Sequence, residues 1–333
     1  MQPDRRPATP EALVVARGVT KRYGRTLALA GVDLDIRRGE HYAILGPNGA
    51  GKTTLIHILC TIHPADGGTV TVGGDDVHRR PLQARRRLGV VFQEPSLDTR
   101  LTVTENLEFH GRIFGVPRGV RRQRIKDLLG IVELTTWKDQ LVRALSKGMQ
   151  RRLEIARALV HDAELLVLDE PTVGLDAQTR ANMWEHVARL QAERDLTVLT
   201  TTHYIEEVDA ADRVCIIDHG EVLTVGTPTE LKARHGATFV HAMPTDDDAS
   251  DRIRADHPDA ERMGDTLVIP ITDDTAVGAL LRTHGTSLKA FNVERATLES
   301  VFLALTGRAI RDQAAGDRDR LLAFANRGGE HTR

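Results

Sequence analysis

Apolar positions along this chain fall into two textures. Short runs with no polar face, Tyr42-Ala43-Ile44-Leu45, Leu88 to Phe92, Leu165-Leu166-Val167-Leu168 and Leu196 to Thr201, read as strands covered on both sides. Between them lie stretches of helical spacing, Lys52 to Cys60 and Ala181 to Ala192. Helices alternating with buried strands predict a mostly parallel α/β sheet. Three further segments are strand-like: Ala12 to Ala16, Ala28 to Ile36 with Val32, Leu34 and Ile36 alternating against Asp33 and Asp35, and the β-branched Thr69 to Val72. Val214 to Ile217 and Val222 to Val225 flank Asp218-His219-Gly220-Glu221 as a hairpin.

The texture changes twice. From Thr102 to Val160 it is helical, with Leu107, Phe109, Ile113 and Phe114, then Ile125, Leu128 and Leu129, which predicts a helical insert at about 98–160. Past Gly236 the order strand (Thr238 to Met243), helix (Ala249 to Ala255), two strands around Gly264-Asp265, helix (Thr275 to Thr283), strand (Leu288 to Val293) and helix (Thr297 to Thr306) contains βαββαβ. That order predicts a small ferredoxin-like α+β domain. The expected organisation is a proline-rich arm at 1–10, a main domain at 11–235, an accessory domain at 236–308 and a charged tail at 309–333.

Composition narrows little. With 333 residues, 41% hydrophobic and 28% charged, the chain has the make-up of an ordinary soluble globular protein. A net charge of −2 gives no reason to expect nucleic-acid binding or attachment to an anionic membrane surface. Cys60 and Cys215 lie in apolar stretches and match no metal-site spacing, so they read as reduced core thiols. No uncharged run approaches the 18 or so residues that span a bilayer, so a membrane role is expected to come through a partner.

Chemistry enters at Gly46 to Thr54, GPNGAGKTT (Gly46, Pro47, Asn48, Gly49, Ala50, Gly51, Lys52, Thr53, Thr54). It fits G-x-x-x-x-G-K-[ST] in the strand-loop-helix context that the pattern requires. The glycines let successive N–H groups point inward at phosphate, and the helix presents its positive end to the same anion. Lys52 is expected to reach the β- and γ-phosphates and the Thr53 hydroxyl to ligate Mg²⁺. The run LLVLDEP then supplies Asp169 to hold Mg²⁺ through water and Glu170 to polarise the attacking water. Gln93, at a strand end, has the chemistry to touch both metal and water, and His203, at another, to bond the γ-phosphate; each is also compatible with an ordinary loop role. Carboxyl ends of strands in such a sheet converge on one crevice. Ser146, in LSKGMQRR, is a good N-cap, and the helix start with the Gly148 backbone makes a second anion site. One subunit has no need of two sites for one γ-phosphate, but a dimer sharing its nucleotides does. The basic run Arg118, Arg121, Arg122 and Arg124 reads as a solvated helix face.

Together these elements resemble the nucleotide-binding subunit of an ABC transporter over about residues 11–235: GPNGAGKTT, Gln93, LSKGMQ, LLVLDE, Gly174-Leu175-Asp176 and His203, in that order. LSKGMQ departs from the commoner LSGGQ at Lys147 and Met149 and keeps Ser146 and Gly148. The resemblance implies a RecA-like P-loop core with an antiparallel β subdomain and a helical insert. It implies ATP and Mg²⁺ as cofactors, a homodimer, an aromatic at Tyr23 stacking on adenine, and Asp176 near the nucleotide. TTHYIEEVDAADRV with ERATLESVFLALTGR is similar to the ABC-2 exporter group of the daunorubicin-resistance type. That similarity implies a separate membrane permease, a place on the cytoplasmic side of the membrane, and a drug, antibiotic or lipid-like cargo. An importer subunit and a soluble factor acting on ribosomes or DNA are the alternatives.

Overall fold

A computed structural model of the chain describes residues 11–236, 238–271 and 274–306. The arm and the charged tail expected at 1–10 and 309–333 lie outside the described residues. The chain divides into two compact units between Val225 and Gly226.

The first unit opens with β1 (Ala12–Tyr23) and β2 (Thr26–Arg37), then β3 (His41–Leu45), α1 (Lys52–Leu59), β4 (Gly67–Val72), β5 (Asp75–Asp76), α2 (Pro81–Arg87) and β6 (Leu88–Val91). α3 (Val103–Ile113), α4 (Arg118–Ile131) and α5 (Lys147–Ala158) follow, then β7 (Leu165–Asp169), α6 (Ala177–Arg194), β8 (Thr197–Thr202), β9 (Arg213–Asp218) and β10 (Glu221–Gly226). One sheet, β2-β1-β4-β5, is antiparallel. β1 and β2 run past the alternating segments that predict them, because register shifts near Ala16–Thr20 and Lys21–Arg22 absorb the irregularity and let pairing continue.

The second sheet, β10-β9-β3-β8-β7-β6, carries the parallel core, in which β3, β6, β7, β8 and β9 pair in parallel. Every residue of β3, β7 and β8 is buried, as their lack of a polar face requires. Alternate side chains serve opposite faces. Leu165 and Val167 pack with α1 and the antiparallel sheet through Leu55, Ile56 and Leu59, whereas Leu166 and Leu168 pack with α4, α5 and α6 through Leu128, Leu153 and Met183. Each such Leu or Ile side chain contributes about 1.5–3 kcal/mol through burial. That layering fixes the carboxyl ends of β3, β6, β7 and β8, which is where the candidate chemistry lies.

The second unit comprises α7 (Pro228–His235), β11 (Thr238–Pro244), α8 (Asp247–Asp256), β12 (Glu261–Met263), β13 (Thr266–Ile271), α9 (Asp274–His284), β14 (Leu288–Glu294) and α10 (Leu298–Thr306). Its sheet order is β12-β13-β11-β14 with antiparallel pairs, the ferredoxin-like arrangement that βαββαβ predicts. Val240, Ala242, Ile253, Leu267, Ile269 and Leu280 form its core. α7 packs with α10, so the observed division falls about ten residues before the boundary expected at 235. α7 escapes periodicity because Leu231 is its one buried residue, but its start is written locally: Thr227 and Glu230 form a capping box. α2 escapes likewise, with Ala84 alone buried.

Candidate active site

The phosphate loop leaves β3 at Leu45 and enters α1 at Lys52. Gly51 caps that helix at φ 104°, and a Cβ there would sit 2.6 Å from the Ala28 carbonyl oxygen and 2.9 Å from Leu29 Cδ2. No side chain fits both that backbone conformation and that space. The loop is tied to β2 and to the β9–β10 turn, since Gly220 N–H donates to Ala50 O and Ala30 N–H donates to Gly220 O, each at 2.9 Å.

Lys52 is 4% exposed. Its Nζ donates to Gly46 O at 2.8 Å and to Pro47 O at 3.1 Å, and lies 3.2 Å from Glu170 Oε1. A buried ammonium is tolerable only when paired and bonded in this way. Glu170 adopts φ 46°, which is unfavourable for a residue with a Cβ. Thr201 at the end of β8 holds it there: Glu170 N–H lies 3.1 Å from Thr201 O and 3.2 Å from Thr201 Oγ1. The Thr201 hydroxyl donates in turn to Asp169 Oδ1. His203 Nδ1 lies 3.4 Å from Glu170 Oε2, a close contact outside hydrogen-bonding geometry. One strand end therefore fixes both carboxylates, and the next residues bring the histidine alongside.

A pocket of about 810 Å³ opens over these groups. Asn48, Gly49, Ala50, Gly51, Lys52, Thr53, Thr54, Gln93, Glu170 and His203 line it, so the loop and three strand ends meet as the sheet topology requires. Its size suits a nucleoside triphosphate. Thr53 and Gln93 line the pocket, and Asp169, 2% exposed, ends β7 next to the lining Glu170. All-oxygen donors of this kind fit Mg²⁺. Thr26, Leu27, Ala28, Val173 and His219 also line the pocket. The sequence does not reveal those five because none belongs to a motif; Thr26, Leu27 and Ala28 come from the start of β2, His219 from the β9–β10 connection, and Val173 from the loop after β7.

Tyr23 is not among the lining residues. It ends β1 half-exposed, its ring edge-on to His63 with centroids 6.3 Å apart and Lys21 Nζ 5.5 Å from its centre. Thr26 to Ala28, at the start of β2, line the wall.

Ser146, Gly148 and Asp176 lie outside the pocket as well. Ser146 caps α5 by accepting from Met149 N–H at 3.2 Å, and Asp176 caps α6 by accepting from Thr179 N–H at 2.9 Å and from the Thr179 hydroxyl at 2.6 Å. Those bonds hold the exposed Asp176 carboxyl below the usual carboxylate range. Gly148 packs against α6, where a Cβ would come within 2.4 Å of Thr179 Cγ2.

Residues 29–173 match the ABC transporter family. The chain is 40% identical over 309 residues to the Nod factor export ATP-binding protein I of Ralstonia nicotianae, covering 90% of this chain and 95% of that one. It is 38% identical over 320 residues to the daunorubicin/doxorubicin resistance ATP-binding protein DrrA of Streptomyces peucetius, covering 92% and 96%. It is 36% identical over 313 residues to the linearmycin resistance ATP-binding protein LnrL of Bacillus subtilis, covering 90% and 100%. Among solved structures, CbiO1 of Clostridium perfringens, part of an ABC transporter complex, superposes with a TM-score of 0.63 at 30% identity over 67% of this chain and 91% of that one. A dimeric ATP-binding cassette in a post-hydrolysis state bound to ADP and Pi does so with a TM-score of 0.57 at 29% identity over 64% and 98%.

Proposed function

Since the chain belongs to the ABC transporter ATP-binding proteins of the ABC-2 exporter type, and is an ATPase that energises a separate permease, we propose that it acts as a homodimer with two shared sites. Each ATP lies between the phosphate loop of one copy and the Ser146 and Gly148 end of α5 in the other. The observation that carries this is the division of the site: Lys52, Gln93, Glu170 and His203 share one pocket, while Ser146, Gly148 and Asp176 stand outside it on helix starts. The second set offers backbone donors and helix dipoles suited to a phosphate it cannot share with its own loop.

Within one site, the loop amides and Lys52 bind the β- and γ-phosphates, and Glu170 orients and polarises the attacking water. His203 bonds the γ-phosphate from the neighbouring strand end. Thr53 and Gln93, with Asp169 acting through water, would hold Mg²⁺, which would supply neutralisation of phosphate charge. Lys52 leaves Glu170 for phosphate as ATP enters, which releases the carboxylate for its work. Because ATP bridges two copies, it favours the closed dimer over open monomers, and that differential affinity drives the permease. The permease is of the ABC-2 type, this chain sits on it at the cytoplasmic face of the membrane, and the cargo is a drug, antibiotic or lipid-like compound. The export and resistance functions of the relatives and the absence, among the described residues, of any helix long and apolar enough to cross a membrane support this.

Glu170→Gln tests the reading. It keeps the shape of the side chain and removes its basicity, so ATP binding persists, turnover falls by about 10²–10⁴-fold and a dimer accumulates with ATP in light scattering. A variant that hydrolyses ATP at the wild-type rate, or stays monomeric at saturating ATP, overturns it.

A further inference from the structure

Five residues beyond Ser146, on the same helix, the Arg151 guanidinium is almost completely buried and reaches out of α5 in three directions. Nε donates to Pro171 O at 2.6 Å. Nη1 donates to Phe92 O at 2.7 Å and to Glu154 Oε2 at 2.9 Å, and Nη2 lies 3.4 Å from Gln93 O. Phe92 and Gln93 follow the end of β6, and Pro171 follows Glu170 at the end of β7. Glu154, 2% exposed, faces Arg151 one turn along the helix and accepts from Ser96 N–H at 2.7 Å with its other oxygen. A single planar fork therefore clamps the main chain after β6 and after β7, at or next to Gln93 and Glu170, both of which line the pocket.

Burying an ion pair merely to stabilise a fold is a poor use of charge, since apolar replacements of the same size do as well or better. The Arg151–Glu154 pair does what apolar residues cannot, because it satisfies carbonyls on two separate strand exits from one rigid helix. We propose that Arg151, aligned by Glu154, is a positioning residue that couples the Ser146 end of α5 to Gln93 and Glu170 of its own subunit. Contact of Ser146 with the nucleotide held by the partner then sets the geometry of this subunit's hydrolytic groups, and the two sites of the dimer fire cooperatively. The inference rests on the shared-site dimer described above.

Two variants of the full chain test it. Arg151→Lys keeps the charge but replaces a fork by a point donor that cannot reach Pro171, Phe92 and Glu154 together. Arg151→Met/Glu154→Met removes both charges and fills the space, so no lone buried charge remains, while the Pro171 and Phe92 carbonyls and the Ser96 N–H lose their partners. In both, calorimetry should give an ATP affinity within about twofold of wild type, since neither residue lines the pocket. Turnover at saturating ATP should fall at least tenfold with KM little changed, and the Hill coefficient of turnover should fall toward one. A double variant that unfolds cooperatively, even at a lowered melting temperature, and keeps wild-type kcat and Hill coefficient overturns the proposal, because Arg151 would then be structural only. ATP-dependent dimerisation of Glu170→Gln, measured alongside, separates the two ideas. If that protein stays monomeric, the dimer reading fails; if it dimerises while both Arg151 variants turn over normally, the coupling alone fails.

Discussion

At the end of β3 the charged groups have already found one another. Lys52 and Glu170 are both buried and lie 3.2 Å apart, with Thr201 bonded to the backbone of Glu170 and to the carboxylate of Asp169. At the starts of α5 and α6 the opposite holds: Ser146 and Asp176 are exposed, and each bonds to the first turn of its own helix. The first region is a finished half-site whose desolvated charges must pair within the subunit or not be there at all. The second is a pair of capped helix ends, exposed to solvent and proposed to meet an anion held by a second copy. Only the buried half can be recognised as a site from one subunit; the exposed half takes its role from the proposed dimer.

The sharpest way to break that contrast is Lys52→Ala. It removes the cation proposed to meet phosphate and also strands Glu170, 8% exposed, without its counter-charge. ATP affinity should fall at least about 100-fold, equivalent to about 2.7 kcal/mol, and the apo protein should lose about 3–5 kcal/mol of stability. Calorimetry and urea denaturation read the two effects. An unchanged affinity would remove Lys52 from the phosphate site.

Acidification tests the same asymmetry. His41 opens β3, the strand that feeds the loop, and stacks on Trp184 with its Nε2 3.1 Å from Thr200 Oγ1. Burial pushes its pKa down to about 4, against a smaller opposing pull from Asp212. A histidine held neutral by the fold contributes stability that is present in full above pH 6.5, where the unfolded chain is also neutral. As the pH falls from 6.5 to about 4 the unfolded state takes up the proton first, and up to about 3 kcal/mol is lost. Burial likewise lowers His161 to about 4 and His110 to about 3, so both add to the fall. Asp176 behaves differently: its depressed carboxyl keeps the α6 cap ionised across that window, and the cap weakens only as the pH drops below 3.8 through its folded pKa. The urea midpoint should therefore decline from pH 6.5 to 4, less steeply in His41→Gln. A flat wild-type profile, or an equally steep one in the variant, contradicts the assignment.

Much of this is legible in the chain itself, and what is not has a physical reason. Buried runs such as LLVL write the parallel sheet because covered strands exclude polar side chains, and GPNGAGKTT writes the loop because the backbone at Gly51 admits no Cβ. The βαββαβ order of the second unit also appears as expected. Helices α2 and α7 escape because each buries one residue, which leaves no periodicity to detect. Ala28 and His219 escape as pocket walls because their place depends on turns folding back over the loop, a tertiary fact with no local pattern. Tyr23 shows the converse: the family resemblance, and no local pattern, points to it, and its exposed ring stands edge-on to His63. The clamp at Arg151 is invisible in the sequence for a related reason, since its partners are backbone carbonyls, and any residue can supply one.

Gly148 offers the finest discrimination between the two halves, because it has two reasons to be glycine. It packs on α6, where an added methyl would meet Thr179 Cγ2 at 2.4 Å, and it is the backbone proposed to approach a partner's phosphate. Gly148→Ala should cost about 1–2 kcal/mol of stability from overpacking. Thr179→Ser deletes Cγ2 while keeping the hydroxyl that donates to Asp176, and the next atom of Thr179 from the new methyl, Cβ, is 3.8 Å away. Gly148→Ala/Thr179→Ser should therefore regain most of the lost stability. If packing were the whole requirement, turnover would return with it. If the glycine also faces the nucleotide across the dimer, turnover stays at least several-fold low while monomer ATP affinity is unchanged. Melting temperature, calorimetry and steady-state hydrolysis on the same preparations separate the outcomes, and full recovery of turnover would leave Ser146 and the dipole of α5 as the whole of the exposed half.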